Sequence, residues 1–410
     1  MKTLNLKDYA DENGLPIMDT IQFDRWTEEL GKEKFRELLA EYIATERPKF
    51  PLKQISYEDM RKNIIGLSKF DTSKICVPKE QIEKEVFEKY DDYEYNFKDY
   101  GLGLIDAPST YNVSSNYFHQ HLRLNCSSYG FKAPIDVWQN GNAKDIWRCL
   151  GPIWRGINSE RHLREGTYMS AFRLGTYIAT QFKPVVAKTI YDMTKANTVL
   201  DTSCGWGDRL AGFFASNATE YYGCDPNPNT YKQYMKQIEE YSKFFPNKKV
   251  KIYNCGAENL PYDELPDIDC AFTSPPYFST EEYNKGGELE ENQSWFKFNE
   301  YEKWRDDFYL PVAEKTLSKS KFMLVNIMDP KVKNVRYRSS DELINSNRDK
   351  FLGQIGMVIM QRPQGNAKFK TKEELNKFMA MKYIENVWCF GPKDYDFFSS
   401  SRRATLENFL

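Results

Sequence analysis

The chain has 410 residues, of which 40% are hydrophobic and 28% are charged, and its formal net charge is −2. This length predicts about two to three domains with at least one large core, and the 15% aromatic content argues against disorder over most of the chain. There is no run of about 18 apolar residues and no apolar leader, so we predict neither a transmembrane helix nor a secretory signal and expect a cytoplasmic protein.

The first part of the chain has three kinds of sequence. Residues 1–70 carry apolar positions such as Phe35 and Leu39 at helical spacing between charged residues, which predicts amphipathic helices. The acidic, tyrosine-rich segment 86–100 is predicted to be a solvated loop or helix face. Frequent Gly, Pro, Asn and Ser predict an irregular or β-containing region over 101–156.

Three potential metal ligands lie close together in this region. His119 and His121 form an HxH pattern with Cys126 nearby, and imidazole and thiolate are common zinc ligands. No second ligand pair follows at a suitable spacing, so we prefer a partly exposed strand and predict no metal site. The eight cysteines lie too far apart for CxxC motifs and are predicted to be free thiols.

From about Gly166, short strand-like runs alternate with helical stretches. Helix-forming residues between 171 and 193 are interrupted at Pro184, where a helix is expected to begin. The alternation predicts a doubly wound, mostly parallel α/β sheet of Rossmann-like type over 166–400, preceded by a mostly helical or irregular N-terminal domain over 1–165. The predicted strands are 198–201, 220–225, 250–254, 268–273 and 322–327, and the predicted helices are 208–216, 229–244 and 301–318.

A tight turn containing Gly205 and Gly207 follows the strand that ends at Asp201 and opens a helix. Glycine allows positive φ and a close approach of backbone to ligand, and doubly wound sheets bind nucleotides beyond the carboxyl ends of their strands. The turn matches neither the G-x-G-x-x-G fingerprint nor a Walker loop. Its candidate cofactor contacts are Asp201, Ser203, Cys204, Gly205 and Gly207.

The next two strands end in residues that could bind the ribose and the adenine of a nucleoside. Asp225, followed by Pro226, lies where a carboxylate accepts hydrogen bonds from ribose hydroxyls in Rossmann sites. It could also cap the following helix, and the two roles are compatible. Ala257 and Glu258 follow the third strand, where an adenine ring is expected.

The sequence Ser274-Pro275-Pro276-Tyr277, called here the proline corner, follows the strand that ends at Thr273. Exocyclic amino groups of cytosine and adenine are poor nucleophiles because the nitrogen lone pair is delocalised into the ring. Hydrogen bonds from that amino group to the Ser274 hydroxyl and the Pro275 carbonyl would favour a pyramidal nitrogen aimed at a methyl donor. The prolines stiffen the loop, and Tyr277 offers a face for stacking a base taken out of the helix.

These two motifs resemble those of the S-adenosylmethionine-dependent DNA amino-methyltransferases, which modify cytosine N4 or adenine N6. Residues 201–207 resemble the donor motif DPFxGxG, with Thr202-Ser203 in place of Pro-Phe, and residues 273–277 match the catalytic motif in its TSPPY form. The resemblance covers roughly residues 166–393. It implies a Rossmann-like methyltransferase domain with S-adenosylmethionine as cofactor.

Two flanking segments extend the resemblance. Residues 181–187, with Phe182 and Pro184, resemble the family's helix that closes over the methionine end of the donor, and residues 385–390 resemble the terminal strand of the catalytic core. The turn departs from the family at Trp206 and at 208–209. It is similar to that of phage-type DNA methylases, which implies a viral or mobile-element origin.

The spacing of the two motifs leaves no room for a recognition domain between them. Target recognition is therefore expected from the N-terminal domain, from residues 331–382, or from both. The latter segment is locally basic, and its side chains are candidates for phosphate contacts with DNA, although a solvated surface explains them equally well. The basic residues are Lys331, Lys333, Arg336, Arg338, Arg348, Lys350, Arg362, Lys368, Lys370 and Lys372, with Arg402 and Arg403 near the end.

The expected reaction is an in-line methyl transfer that needs no covalent intermediate and no metal, and no general base is evident near the corner. Carbon-5 methylation needs a Cys after Pro, which the chain lacks, so the likeness of residues 385–387 to that class is interpreted as coincidence. Ser274 favours cytosine N4 over adenine N6. An RNA base methyltransferase, and a non-catalytic nucleic-acid-binding module that keeps the donor fold, stay open as alternatives.

Overall fold

The computed structural model describes residues 3–82, 94–155, 162–359, 371 and 383–399. Short 3-10 turns and one π-turn join the elements of this part of the chain. The helices are α1 Thr20–Leu30, α2 Lys32–Glu46, α3 Tyr57–Ser68, α4 Phe97–Tyr100, α5 Val113–Leu124, α6 Pro134–Asn140, α7 Ala143–Leu150, α8 Glu165–Gly175, α9 Pro184–Met193, α10 Asp208–Ala215, α11 Pro228–Ser242, α12 Ser294–Lys297, α13 Tyr301–Trp304, α14 Leu310–Lys319 and α15 Ser339–Ser346. The strands are β1 Cys76–Pro78, β2 Gly101–Ile105, β3 Thr198–Asp201, β4 Glu220–Cys224, β5 Lys249–Tyr253, β6 Ile268–Thr273, β7 Ser320–Asn326, β8 Lys331–Val332, β9 Val335–Arg336, β10 Phe351–Ile359 and β11 Tyr383–Phe390.

Nine strands of the described residues form one mixed sheet in the order β1-β2-β10-β11-β7-β6-β3-β4-β5. The five strands from β7 to β5 are parallel, because helices carry the chain back between them. Strand β11 is antiparallel to both of its neighbours, β7 and β10. Parallel strands joined by helices confirm the predicted doubly wound α/β class.

The predicted elements after residue 198 agree closely with the structure. Strands β3 and β6 have the predicted bounds, and the other predicted elements differ by one or two residues at their ends, except that the predicted helix 301–318 is divided into α13 and α14 by a π-helical segment over Arg305–Tyr309. Helix α9 begins at Pro184 as predicted. Helix α11 begins at Pro228 because the side chain of Asn227 caps it by accepting the N–H of Asn229.

The chain divides into two compact units, whose boundaries differ from the predicted division at residue 165. One unit comprises residues 1–56, 120–180 and 281–290, and the other comprises 57–119, 181–280 and 291–410. The reason is strand pairing, because β2 is hydrogen-bonded to β10 and so residues 57–119 belong with the sheet. The role of the N-terminal residues in nucleic-acid recognition stays a prediction.

The first unit is helical, as the pattern of residues 1–70 predicts. Its core contains Phe23, Phe35 and Trp154, whose ring centroids lie 5.2 to 5.5 Å apart. Helix α1 starts with a capping box, in which the Asp19 carboxylate and the Gln22 side chain satisfy each other's backbone N–H groups. The aromatic core and the capped start of α1 thus stabilise this unit.

The prediction of an irregular or β-containing region over 101–156 is wrong for most of its length. Only strand β2 is extended there, and helices α5, α6 and α7 follow it. The Gly, Pro and Asn residues mark helix ends instead of breaking a sheet: Pro134 begins α6, Gly141 ends it, and Asn142 caps α7. Of the acidic segment 86–100, residues 86–93 lie outside the described residues. No helix in the described part of the chain is long and apolar enough to cross a membrane.

Candidate active site

The glycine turn, residues 202–207, joins β3 to α10 and has the backbone that the sequence predicts. Gly205 and Gly207 have φ values of +61° and +71°, in the left-handed region that favours glycine. A Cβ on Gly207 would collide with the Gln237 side chain and lie 2.5 Å from Nε2 of His119. A Cβ on Gly205 would meet the Ser203 carbonyl at 3.7 Å and the Arg209 guanidinium at 3.9 Å, which is ordinary van der Waals contact, so its positive φ is what requires glycine there.

Asp201 holds this turn from its inner side. The side chain is fully buried, and its Oδ2 accepts hydrogen bonds from Nε of Arg209 and from the hydroxyl of Tyr221, both at 2.8 Å. Its Oδ1 accepts the N–H of Ser203 at 3.1 Å, and the Arg209 guanidinium also donates to the carbonyl of Ser203. Asp201 therefore supports the turn, and its contact with a cofactor stays a prediction.

Ser203 and Cys204 differ in how much they offer to a ligand. Ser203 is half-buried, and its hydroxyl donates to the carbonyl of Thr202. Cys204 is buried, burial raises the pKa of its thiol, and its N–H donates to the carbonyl of Cys224 on the neighbouring strand. The Cys204 side chain thus packs inside the turn, and Ser203 is the more accessible of the two.

A buried pair from two helices supports the turn, and the sequence analysis missed it. Nε2 of His119 on α5 lies 2.9 Å from Oε1 of Gln237 on α11, and the Gln237 amide donates to the carbonyl of Gly207 at 2.9 Å. Both side chains are at most 1% exposed. The predicted strand around His119 and His121 is wrong, because both residues lie on helix α5. No group of three His, Cys, Asp or Glu in the described residues could hold a metal ion.

Asp225 lies beside the glycine turn at the end of β4. Its Oδ1 accepts from the N–H of Asn227 and the hydroxyl of Thr230, both at 2.9 Å, and its Oδ2 accepts from the hydroxyl of Tyr234 at 3.0 Å. Burial raises its pKa, whereas these bonds and one from the N–H of Gly205 oppose that effect. The helix cap itself is Asn227, so the alternative of Asp225 as the N-cap is wrong. Contact of its half-buried carboxylate with a ribose stays a prediction.

The loop after β5 forms the adjoining wall. The Asn254 amide donates to the carbonyl of Asp225 at 2.9 Å, which ties this loop to half-buried Pro226 and the β4 end. Ala257 is buried, and Glu258 pairs with Lys297 at 2.9 Å. The loop ends of β3, β4 and β5 thus lie side by side, as a crevice for a nucleoside requires.

Phe182 and Pro184 lie on the other side of the turn. The Phe182 ring is 5.5 Å from the ring of Phe272, and the guanidinium of Arg209 lies over it at 5.5 Å. Pro184 is buried at the start of α9. The segment 181–187 therefore contacts the start of α10, which follows the glycine turn, and its closure over the methionine end of a donor stays a prediction.

The proline corner lies next to the glycine turn. Strands β3 and β6 are adjacent and parallel, and a hydrogen bond of 3.0 Å joins the hydroxyl of Thr202, in the glycine turn, to that of Thr273, the last residue of β6. Phe278 closes the corner at φ +50°, a conformation that is rare for a bulky residue. Its ring is buried against those of Tyr301, Trp304 and Tyr337, which holds this backbone in place.

A half-buried glutamate, which the sequence analysis did not propose, lies behind the corner. The hydroxyl of Tyr277 is 3.0 Å from Oε1 of Glu385 on β11 and 3.1 Å from the carbonyl of Asn326 on β7. Oγ of Ser274 lies 3.3 Å from the same hydroxyl. Burial raises the pKa of Glu385, and hydrogen bonds from Tyr277 and Asn326 oppose that effect. A charged residue within the apolar strand 384–390 was the sequence signal that could have revealed it.

The predicted basic segment is described only in part. The side chains of Lys331, Lys333, Arg336, Arg338, Arg348 and Lys350 are exposed. The first three belong to the hairpin that β8 and β9 form, with Lys333 in its turn at φ +48°. The remaining basic residues lie outside the described residues; they are Arg362, Lys368, Lys370, Lys372, Arg402 and Arg403.

Comparisons with solved structures find many weak matches. An rRNA methylase from Streptococcus thermophilus is 13% identical over 52% of this chain and all of its own, with a TM-score of 0.31. The N-terminal domain of EvdMO1 with SAH bound is 9% identical over 52% of this chain and 82% of its own, at 0.28. The delta-N METTL16 MTase domain is 12% identical over 48% of this chain and 73% of its own, also at 0.28. No protein-family model matches the chain, and no curated protein matches it either.

Proposed function

We propose that the protein transfers a methyl group from S-adenosylmethionine to an exocyclic amino group of a base in DNA, with cytosine N4 favoured over adenine N6. One observation carries the proposal: the hydrogen bond between Thr202 and Thr273 joins the glycine turn to the end of β6, the residue directly before the proline corner. A donor held at the turn would then lie beside a base held at the corner.

The residues around the turn fit the proposed cofactor. Gly205 and Gly207 have the positive φ values of a tight turn, and the Gly205 N–H donates to the half-buried carboxylate of Asp225, which joins the turn to the end of β4. Ser203, Pro226 and the loop with Ala257 and Glu258 would complete the contacts. Because the cofactor supplies an activated methyl group, the protein mainly has to position the two reactants and stabilise the charges of the transition state.

The residues of the corner would bind and orient the base. The Ser274 hydroxyl and the Pro275 carbonyl are the proposed acceptors for its amino group, and Pro276 keeps the loop rigid. Tyr277 is held by its hydroxyl bonds to Glu385 and Asn326, so its ring has a fixed direction for stacking. Cytosine is favoured because the first corner residue is Ser; a DNA substrate follows from the family that the motifs resemble.

Mass spectrometry of nucleosides tests the proposal. The protein and the donor are incubated separately with DNA and with RNA, and we expect N4-methylcytosine from DNA. Methylated RNA bases alone would move the substrate to RNA, and an absence of product with intact donor binding would favour the non-catalytic alternative. Ser274→Ala should abolish the product, whereas Ser318→Ala, at an exposed serine of α14 that bonds to its own helix, should not. Full activity of Ser274→Ala would refute the site.

A further inference from the structure

The proline corner contains a chain of hydrogen-bonding groups that ends on a carboxylate. Oγ of Ser274, the hydroxyl of Tyr277 and Oε1 of Glu385 are spaced 3.3 and 3.0 Å apart. An ionised carboxylate only accepts hydrogen bonds, so the Tyr277 proton points toward Glu385 in the arrangement that satisfies it. The Tyr277 oxygen can then accept the proton of Ser274, which leaves the lone pairs of Ser274 for the amino group of a base.

We propose that Glu385 is the final acceptor of the proton that the target nitrogen releases, reached through Ser274 and Tyr277. This inference rests on the proposed function. It assigns a proton route to a site in which the sequence suggested no general base.

The proposed step balances in atoms and charge. The N–CH3 bond forms as the S–CH3 bond breaks, and the sulfur keeps the electron pair. The nitrogen, now positively charged, gives a proton to Oγ of Ser274, the Ser274 proton passes to the oxygen of Tyr277, and the Tyr277 proton passes to Glu385. The products are a neutral methylamino base and a protonated Glu385, which later loses its proton to solvent.

The surroundings of Glu385 suit a proton acceptor. Glu385 lies half-buried on β11 between β7 and β10, and desolvation raises the pKa of its carboxyl, which makes it a better proton acceptor than an exposed glutamate. From the neighbouring strand β7 it faces the neutral amide of Asn326, and its partner on β10 is the apolar Met357. From the corner it faces Tyr277, the titratable side chain that the described residues place in hydrogen-bond contact with it.

Single-turnover rates measured against pH test the proton route. Wild type, Glu385→Gln and Tyr277→Phe are compared on a cytosine-containing oligodeoxynucleotide with saturating donor. In wild type the rate should fall as Glu385 becomes protonated at low pH. Both variants should lose about a hundredfold in rate, the typical contribution of general acid–base catalysis, and Glu385→Gln should also lose this acidic limb. Their affinity for the donor should be unchanged, which shows that the donor half of the site is folded.

The chain offers a matched control. The hydroxyl of Tyr222 donates to Glu220 on the same strand, β4, at 3.2 Å, a bond of the same kind that does not lead to Ser274. Glu220→Gln should keep the wild-type rate and pH profile. If Glu385→Gln also keeps both, the proton route is refuted while the proposed function stands.

Carbon-13 NMR of the Glu385 carboxyl measures its pKa directly, without any methyl transfer. Tyr277→Phe removes a hydrogen bond that favours the ionised form, so the pKa of Glu385 should rise further in that variant. An unchanged pKa would refute the link between the two residues. If wild type methylates no nucleic acid even though this link is present, the proposed function fails, and the proton route fails with it.

Discussion

Nε of Arg209 lies 2.8 Å from Oδ2 of Asp201, and no more than 5% of either side chain is exposed. This pair explains why the chain departs from the donor motif at position 209. The arginine supplies the counter-ion that the buried carboxylate of Asp201 requires. Asp208 also departs from the donor motif and also stabilises the start of α10. Its Oδ1 accepts hydrogen bonds from the amide of Gln181 at 2.9 Å and from the hydroxyl of Ser115. Both residues therefore fix the turn and the segment at Phe182.

Arg209→Met should destabilise the sheet unit by about 3–5 kcal/mol, because it leaves the buried carboxylate of Asp201 without its counter-ion. Urea unfolding followed by intrinsic fluorescence measures the change. The control is Lys249→Met, which breaks the exposed pair of Lys249 with Glu220 and should cost no more than about 1 kcal/mol. Equal costs in the two variants would contradict the role given to the buried pair.

Gly207→Ala should weaken donor binding and destabilise the protein. The backbone strain at positive φ costs about 1–2 kcal/mol, and the new methyl group collides with Gln237 and His119. Gly130 has nearly the same φ, +74°, and nothing within 4 Å of the added Cβ. Gly130→Ala therefore isolates the strain, and calorimetric donor titration should show weaker binding in Gly207→Ala alone. Equal donor affinities in the two variants would show that the contacts around Gly207 do not shape the site.

The sequence predicted the parts of the site that are local in the chain. The glycine turn and the proline corner are each recognisable by residue type directly after an apolar strand, and parallel pairing then brings the ends of β3 and β6 together. The supports are not local: His119 and Gln237 are 118 positions apart, and Tyr277 and Glu385 are 108 apart. Such pairs leave no periodic pattern, so sequence reasoning assigned His119 to a strand and took residues 385–387 as a coincidence.

Asp341→Asn should stabilise the protein at neutral pH. Burial, followed by the charge of Asp329, raises the pKa of Asp341 to about 6, and Oδ1 of Asp341 has no hydrogen-bond partner among the described residues. Because the pKa of Asp341 is higher in the folded state than in the unfolded state, its protonated form favours folding. This contribution to the free energy of unfolding is present below the unfolded-state pKa and is lost as pH rises through about 6. The variant should therefore gain about 1 kcal/mol at pH 7, after allowance for solvent screening, and nothing near pH 4.

Urea unfolding at several pH values measures this difference. Asp349→Asn is the control, because Asp349 is an exposed residue in the loop that follows α15, and it should show no comparable gain. A gain in Asp341→Asn that is the same at pH 4 and pH 7 would contradict the titration of Asp341 as its cause.

Lys331→Ala and Lys333→Ala should reduce the salt dependence of DNA binding. A lysine that binds a phosphate releases counterions, so removing one such lysine should lower the slope of log K against log salt by about 0.9 for duplex DNA and about 0.7 for a single strand. The hairpin of β8 and β9 presents both side chains to solvent, and Lys236 on α11 is equally exposed without lying on it. Lys236→Ala is therefore the matched control, and its slope should equal that of wild type in fluorescence-anisotropy titrations. If all three variants keep the wild-type slope, the two lysines belong to a solvated surface, and phosphate binding must come from elsewhere in the chain.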